Sequence, residues 1–227
     1  MIFKIPKNPY DERKLFTKST VELTEGNTYC LVGCNGSGKT TVMFFIERDL
    51  IKNGAFEIKG GYCDLRGLSK DKKYNNNLVF SFDKHSNEVN SYEEHIQSIM
   101  GVNFASTGEG IQHRLGNGLV LLGKEIRKKE NKGKSLWVFF DDCDAGTSID
   151  VIGDIKEVLK LIRDDCNKNN ITCTIILSAN SYEMCRDNCI CIDTYNFATK
   201  TFKNYETYKK FVLKSKERKD KSYEEEN

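Results

Sequence analysis

The most specific pattern in the chain is Gly33-Cys34-Asn35-Gly36-Ser37-Gly38-Lys39-Thr40. It has the pattern Gly-x-x-x-x-Gly-Lys-Thr, in which the glycines let backbone amides curl around phosphate oxygens without a side chain in the way. Lys39 can reach the β- and γ-phosphates of a nucleotide, and the Thr40 hydroxyl can coordinate Mg²⁺. The stretch therefore predicts a phosphate loop that binds ATP together with Mg²⁺.

The residues on either side of this loop predict a strand before it and a helix after it. Thr28–Val32 is a short apolar run that follows Gly26, which suits a buried strand. Apolar residues recur at helical spacing over Lys39–Lys52, and the pair Asn53-Gly54 supplies a left-handed stop. A glycine turn that carries a lysine by chance would require neither neighbour, so we favour the phosphate loop.

Further apolar runs alternate with helical stripes along the chain. The continuous run Ser135–Phe140 is typical of a central parallel strand, and residues 171–177 and 189–192 predict two more strands. This alternation predicts an α/β fold of the P-loop NTPase type, with a mostly parallel sheet flanked by helices and a small N-terminal β region. We expect one ATPase head over residues 1–213. Residues 214–227 form a charged tail almost without apolar side chains, which predicts disorder.

Composition narrows the partners that the protein can have. The 227 residues are 38% hydrophobic and lack a signal segment or an apolar run of membrane-spanning length, so we expect a cytoplasmic protein without a membrane partner. The net charge is only +2, so no overall field draws the protein to nucleic acid. Basic clusters at residues 124–134 and 214–221 could touch DNA, but both also carry acidic residues. We favour solvated helix ends there, so DNA is possible but not favoured.

The nine cysteines are scattered along the chain, and several lie inside apolar runs. The densest group is Cys185, Cys189 and Cys191. No histidine or fourth cysteine lies close to it in sequence to complete a tetrahedral metal site. We therefore favour reduced thiols in the core.

A pair of carboxylates follows the apolar strand Ser135–Phe140 and forms the second candidate motif. Asp141 is placed to hold Mg²⁺ beside Thr40. Asp142 is placed to orient or deprotonate an attacking water, although its side chain is one methylene shorter than that of glutamate. The alternative is that Asp142 or Asp144 ends the strand and caps the next helix.

These motifs resemble those of ABC-type ATPases. Asn35 and the doubled Thr40-Thr41 resemble the phosphate loop of that family, and the run from Phe140 to Gly146 resembles its metal-binding strand and acidic successor. The segment Ser148-Ile149-Asp150 resembles the D-loop. The order of the motifs along the chain is also that of the family, and the resemblance covers roughly residues 15–195.

A further segment, Ser106-Thr107-Gly108-Glu109, resembles the family signature, although Thr107 breaks its glycine pair. In the family, a serine and glycine amides at this helix start cap the γ-phosphate of ATP bound by the opposite subunit. The resemblance thus implies an ATP-dependent homodimer. Together, the loop and the resemblance give these nucleotide-binding candidates: Gly33, Asn35, Gly36, Ser37, Gly38, Lys39, Thr40, Thr41, Ser106 and Gly108.

The sequence departs from the family at two places. All three histidines, His85, His95 and His113, precede Asp141, so none can be the switch histidine that follows the strand at 171–177. Ala179 or Asn180 occupies that place, and Asn180 could serve as a polar sensor of the γ-phosphate or water.

No glutamine follows the strand at 78–82, where Ser81 or Asp83 is the nearest substitute for the Q-loop residue. We therefore expect slow hydrolysis, with Asp142, Lys39 and Asn180 as the catalytic candidates. Taken together, the motifs of this chain resemble those of the soluble branch of the ABC-type ATPases. That branch includes RecF, SMC proteins, overcoming-lysogenization-defect ATPases and stand-alone phage or bacterial AAA-type ATPases.

Three functions remain open. The favoured one is an ATP-hydrolysing switch in which two copies close around two ATP molecules. The second is a slow ATP sensor that gates an effector such as a nuclease. The third, a P-loop kinase, would need an arginine-bearing lid and is ranked last.

Tyr10 and Phe16 could stack on adenine, although we favour core positions for both.

Overall fold

The computed structural model describes residues 1–9, 15–58, 73–82, 118–144, 148–187 and 189–224. The described strands are β1 (Ile2–Lys4), β2 (Thr20–Glu22), β3 (Thr28–Val32), β4 (Phe56–Glu57), β5 (Asn77–Phe82), β6 (Ser135–Phe140), β7 (Thr172–Ser178), β8 (Ile190–Asp193) and β9 (Thr199–Lys200). The described helices are α1 (Lys39–Lys52), α2 (118–126), a 3₁₀ turn (Lys129–Asn131), α3 (Ile149–Lys168), α4 (Tyr182–Cys185) and α5 (Tyr205–Glu224).

Seven strands form one sheet in the order β4-β5-β6-β7-β3-β8-β9. Every neighbouring pair in it is parallel except β8 and β9, which are antiparallel. The strands β1 and β2 form a separate antiparallel pair, the small N-terminal β region. The predicted fold class, an α/β protein with a mostly parallel sheet flanked by helices, is confirmed.

The central strands are covered on both faces, which explains why their sequences are continuously apolar. In β6, Trp137 and Phe139 pack into the core on the side of α1. Their neighbours Leu136, Val138 and Phe140 pack into the core on the side of α3. This alternation buries all five residues. Polar side chains begin at the carboxyl end of the strand.

The order of the strands determines what lies at that end of the sheet. Because β7 lies between β3 and β6, the phosphate loop after β3 and the acidic pair after β6 face each other across the end of β7. Ligands of open α/β sheets bind at the carboxyl ends of strands. Residues that directly follow β7 therefore lie in the same site.

The last helix differs from the sequence prediction. It continues through residues 214–224, where the lack of apolar residues had predicted a disordered tail. Ser215, on this stretch, is buried, and polar contacts with the phosphate loop and the end of β8 hold the helix. Tyr208 is buried, whereas Tyr205 is mostly exposed. Within the described part of the chain, no helix combines the length and apolar character needed to span a bilayer.

Candidate functional site

The phosphate loop has the backbone shape that its glycines predict. Gly36 and Gly38 have φ angles of 76° and 88°, in the left-handed region that favours glycine. A Cβ atom on Gly38 would lie 2.7 Å from the ring of Phe16. Phe16 is 0% exposed beneath the loop, so it is a core residue as favoured and not a stacking platform for adenine. Tyr10 lies outside the described residues.

Lys39 is folded into the loop that it follows. Its Nζ donates hydrogen bonds to the carbonyl oxygens of Gly33, at 3.2 Å, and Cys34, at 3.3 Å. The residue is only 8% exposed. Burial lowers the pKa of its ammonium group, against the opposing effect of Cys34 and the nearby carboxylates Asp142 and Asp144. An ammonium group shielded from water in this way is suited to binding an anion.

A hydroxyl pair closes the other side of the loop. Thr194, directly after β8, donates from its Oγ1 to the Ser37 Oγ at 3.1 Å. A Cβ atom on Gly33 would lie 2.9 Å from the same threonine oxygen and closer still to Ser37, so only glycine fits there. Thr194 is not among the residues predicted from the sequence, because a single hydroxyl residue at a strand end has no distinguishing pattern and its place beside β3 is known only from the fold.

The structure brings Thr40 and Asp141 together, as the sequence predicts. The Thr40 Oγ1 donates to the Asp141 Oδ1 at 3.1 Å. Ser178, the last residue of β7, donates to the same carboxylate oxygen at 2.5 Å. A hydroxyl beside a carboxylate is the hard oxygen donor set that Mg²⁺ prefers, so these residues fit that ion.

Asp142 adopts an uncommon backbone conformation at the end of β6. Its φ angle is 49°, in the left-handed region that aspartate tolerates better than most residues. Its backbone N–H donates to the Ser178 Oγ at 2.7 Å, and its Oδ1 accepts from the Asn180 Nδ2 at 2.6 Å. Ser178 thus links both members of the acidic pair, a role that the sequence analysis missed.

Asp144 has a different role from the residues before it. Its buried carboxylate accepts hydrogen bonds from the backbone N–H groups of Asn180, at 2.9 and 3.0 Å, and Ser181, at 2.6 Å. The Tyr208 hydroxyl donates to the Asn180 carbonyl oxygen at 2.9 Å. Asp144 therefore holds the turn that presents Asn180 to Asp142, and it does not cap the next helix, α3, as the sequence alternative had it, because the N-cap of α3 is Ser148.

Several predicted residues lie outside the described part of the chain. They are Ser106, Thr107, Gly108, Glu109, the three histidines and Asp83. Ser81, the other substitute for the Q-loop glutamine, donates a very short hydrogen bond to Glu47 of α1. In the segment that resembles the D-loop, Ile149 begins α3 and is 72% exposed. A hydrogen bond from Ser148 lowers the pKa of Asp150 in the same segment.

In the fold, Cys30 of β3 lies beside the cluster of Cys185, Cys189 and Cys191. The Sγ atoms of Cys30 and Cys185 are 3.6 Å apart, and those of Cys189 and Cys191 are 4.0 Å apart. Hydrogen bonds from Cys191 and Cys30 lower the pKa of Cys185 to about 5, and the bond with Cys185 raises the pKa of Cys30. In the described ranges, no group of three or more cysteine, histidine or acidic side chains is arranged to hold a metal.

No protein-family model and no curated protein matches the sequence. Among solved structures, the dimeric ABC transporter cassette MJ0796 aligns with 90% of this chain and 100% of its own, at 11% identity and a TM-score of 0.47. The ABC transporter ATP-binding cassette MJ1267 aligns over 94% of both chains, at 16% identity and 0.44. The protein cbiO1 of Clostridium perfringens, part of the ABC transporter complex cbiONQ, aligns over 96% and 91%, at 16% and 0.40. With TM-scores below 0.5, the assignment of the site rests on the chain's own contacts.

Proposed function

We propose that the chain is an ABC-type ATPase that binds ATP with Mg²⁺ and hydrolyses it slowly. The observation that carries this proposal is the meeting of three parts at the ends of three neighbouring strands. These parts are the phosphate loop after β3, the acidic pair after β6, and the polar residues Ser178 and Asn180 at the end of β7. The resemblance of the motifs to those of the family supports the same assignment.

In the proposed complex, the triphosphate lies in the loop and replaces the carbonyl oxygens that Lys39 contacts. A charged phosphate oxygen is a stronger acceptor than a carbonyl, so this exchange favours binding. Backbone amides and the amino-terminal end of α1 face the phosphates. Thr40 and Asp141 would hold Mg²⁺, which neutralises negative charge on the β- and γ-phosphates.

The hydrolytic step is assigned to Asp142 with Asn180 as its positioning residue. Water attacks the γ-phosphorus, the bond between that phosphorus and the bridging oxygen breaks, and the water proton passes to the Asp142 carboxylate. The contact of 2.6 Å with Asn180 fixes the orientation of this carboxylate. Because Asp142 is short and is already hydrogen-bonded, we propose that hydrolysis is slow.

The function that we favour is an ATP-driven dimerisation switch of the soluble RecF-, SMC- or overcoming-lysogenization-defect-like branch or of the stand-alone phage and bacterial AAA-type branch. In it, Ser106 and Gly108 of one copy cap the γ-phosphate bound by the other. An exposed isoleucine at the start of α3, Ile149, lies in the segment that resembles the D-loop and suits an interface between subunits. The second candidate is a sensor that gates an effector or nuclease, and the short carboxylate of Asp142 is the observation that favours it.

The first test is phosphate release from Mg·ATP by the purified protein, alone and with single-stranded or duplex DNA. Slow release without DNA stimulation supports the switch, and binding without measurable release supports the sensor. DNA stimulation would contradict our preference for a partner other than DNA. Absence of ATP binding would refute the proposed function.

The second test is the oligomeric state, measured by light scattering after size exclusion. In the Asp142→Asn background, Mg·ATP should convert monomer to dimer and ADP should not, because ADP lacks the capped phosphate. Adding Ser106→Arg should prevent dimerisation and leave ATP binding intact. A dimer of unchanged stability with Ser106→Arg would show that this serine does not cap the partner's nucleotide.

A further inference from the structure

The carboxyl-terminal half of α5 lies against the phosphate loop. The Ser215 Oγ accepts a hydrogen bond from the Cys34 backbone N–H at 3.1 Å, and both residues are buried. Cys34 is the first residue after Gly33, so the helix is bound to the loop itself. No part of the loop motif predicts this contact.

Arg218 fixes the position of the helix one turn further on. Its guanidinium lies 3.3 Å from the Asp193 Oδ2 and 4.6 Å from the centre of the Tyr195 ring. Asp193, at the end of β8, is almost completely buried. A charge pair with a buried carboxylate has a defined geometry, which sets the rotation of α5 about its axis.

This rotation places Lys219 over the exposed side of the loop. Its Nζ donates to the Asn35 carbonyl oxygen at 3.3 Å, and its stem passes 3.6 Å from where a Cβ atom on Gly36 would lie. Lys39 contacts the two preceding carbonyl oxygens, those of Gly33 and Cys34. Two ammonium groups from distant parts of the chain therefore bind three successive carbonyl groups of one loop.

We propose that Lys219 is a second phosphate-binding cation of the nucleotide site. When ATP binds, its ammonium group moves from the Asn35 carbonyl oxygen to a phosphate oxygen, as Lys39 does from the other side of the loop. This proposal rests on the proposed function, since it requires a nucleotide in the loop. It assigns a binding role to the carboxyl-terminal half of α5, where the sequence predicts disorder.

Three physical arguments support this assignment. Mg²⁺ and Lys39 leave ATP with negative charge, and phosphate oxygens are stronger acceptors for an ammonium group than a carbonyl oxygen. The flexible stem of lysine lets its ammonium group change partners over a few ångströms while the helix stays in place. An ion pair of Lys219 with the exposed Asp220, at 3.8 Å, is partly exposed to solvent and costs little to break.

The experiment measures the affinities for Mg·ATP and Mg·ADP by isothermal titration calorimetry. The variants are Lys219→Ala, Lys219→Arg, Ser215→Ala and Lys216→Ala. Lys216 is exposed on the same helix and serves as the matched control for loss of charge. Ser215→Ala weakens the docking of the helix without changing its charge.

We expect Lys219→Ala to weaken Mg·ATP binding about tenfold and to reduce the dependence of affinity on salt concentration. Lys219→Arg should keep most of the affinity, and Lys216→Ala should stay within about twofold of the parent. Thermal unfolding without nucleotide should be nearly unchanged in Lys219→Ala, because the contact that is lost is partly exposed.

Two outcomes would overturn the assignment while leaving the proposed function intact. In the first, Lys219→Ala binds as tightly as the parent while Lys39→Ala does not bind. In the second, Lys216→Ala weakens binding as much as Lys219→Ala, which would show that the charge of the helix matters and the position of Lys219 does not. Failure of the parent protein to bind ATP would instead refute the proposed function itself.

Discussion

The phosphate loop and the acidic end of β6 face each other but are built in different ways. The contacts of Lys39 with the carbonyl oxygens of Gly33 and Cys34 lie within the loop motif itself, and Thr194 and Ser215 add contacts from elsewhere in the chain. The acidic end depends on Ser178 and Asn180, which arrive from the next strand. A site whose contacts are local can be recognised from a motif. A site whose contacts join distant segments has no such signature.

Replacing Lys39 tests the locally organised part and should have the largest effect. We expect Lys39→Ala to weaken Mg·ATP binding by about a hundredfold or more, because the positive charge facing the phosphates is lost. Calorimetric titration measures the affinity, and circular dichroism verifies the fold. Tight ATP binding by the folded variant would mean that the loop is not the nucleotide site.

Replacing Asp142 tests the chemistry of the opposite part. We expect Asp142→Asn to keep ATP binding but to slow hydrolysis by about a hundredfold, since an amide cannot accept the proton of the attacking water. Single-turnover phosphate release measures the rate. Hydrolysis at the parent rate would assign the carboxylate a structural role only.

Replacing Asp144 tests whether its carboxylate is structural. We expect Asp144→Asn to lower the free energy of unfolding by about 1–3 kcal/mol, because a charged acceptor of buried N–H groups is lost. Urea denaturation measures this, with the exposed residue of α3 in Asp164→Asn as the control. Unchanged stability together with lost hydrolysis would identify Asp144 as the base instead.

The smallest expected effect is a change of ATP affinity with pH, which follows from the protonation of Lys39. Burial lowers the pKa of this group below 10.5 in the free protein, and bound phosphate should raise it again. Binding of ATP should therefore take up protons as the pH approaches the lowered pKa, and the affinity should fall as the pH rises through it. Titrations in two buffers of different ionisation enthalpy measure this uptake. Proton release in the alkaline range would contradict it.

Elements whose residues repeat or follow a motif could be predicted from the sequence. The alternation of apolar runs predicted the parallel sheet, and the motif predicted the loop between β3 and α1. Ser178 and Thr194 could not be predicted, because single hydroxyl residues at strand ends have no distinguishing pattern. The end of α5 could not be predicted either, because it is held by the polar contacts of Ser215 and Arg218 rather than by apolar burial.

The position of β3 within the sheet has a consequence for synthesis of the chain. Its two neighbours, β7 and β8, both follow it by a long distance in sequence. At typical rates of translation, the roughly 140 residues between β3 and β7 take about 7–30 s to emerge from the ribosome. During that time the apolar segment Thr28–Val32 has neither partner strand. We therefore expect the nascent protein to depend on chaperones that shield this segment until the second half of the sheet is complete.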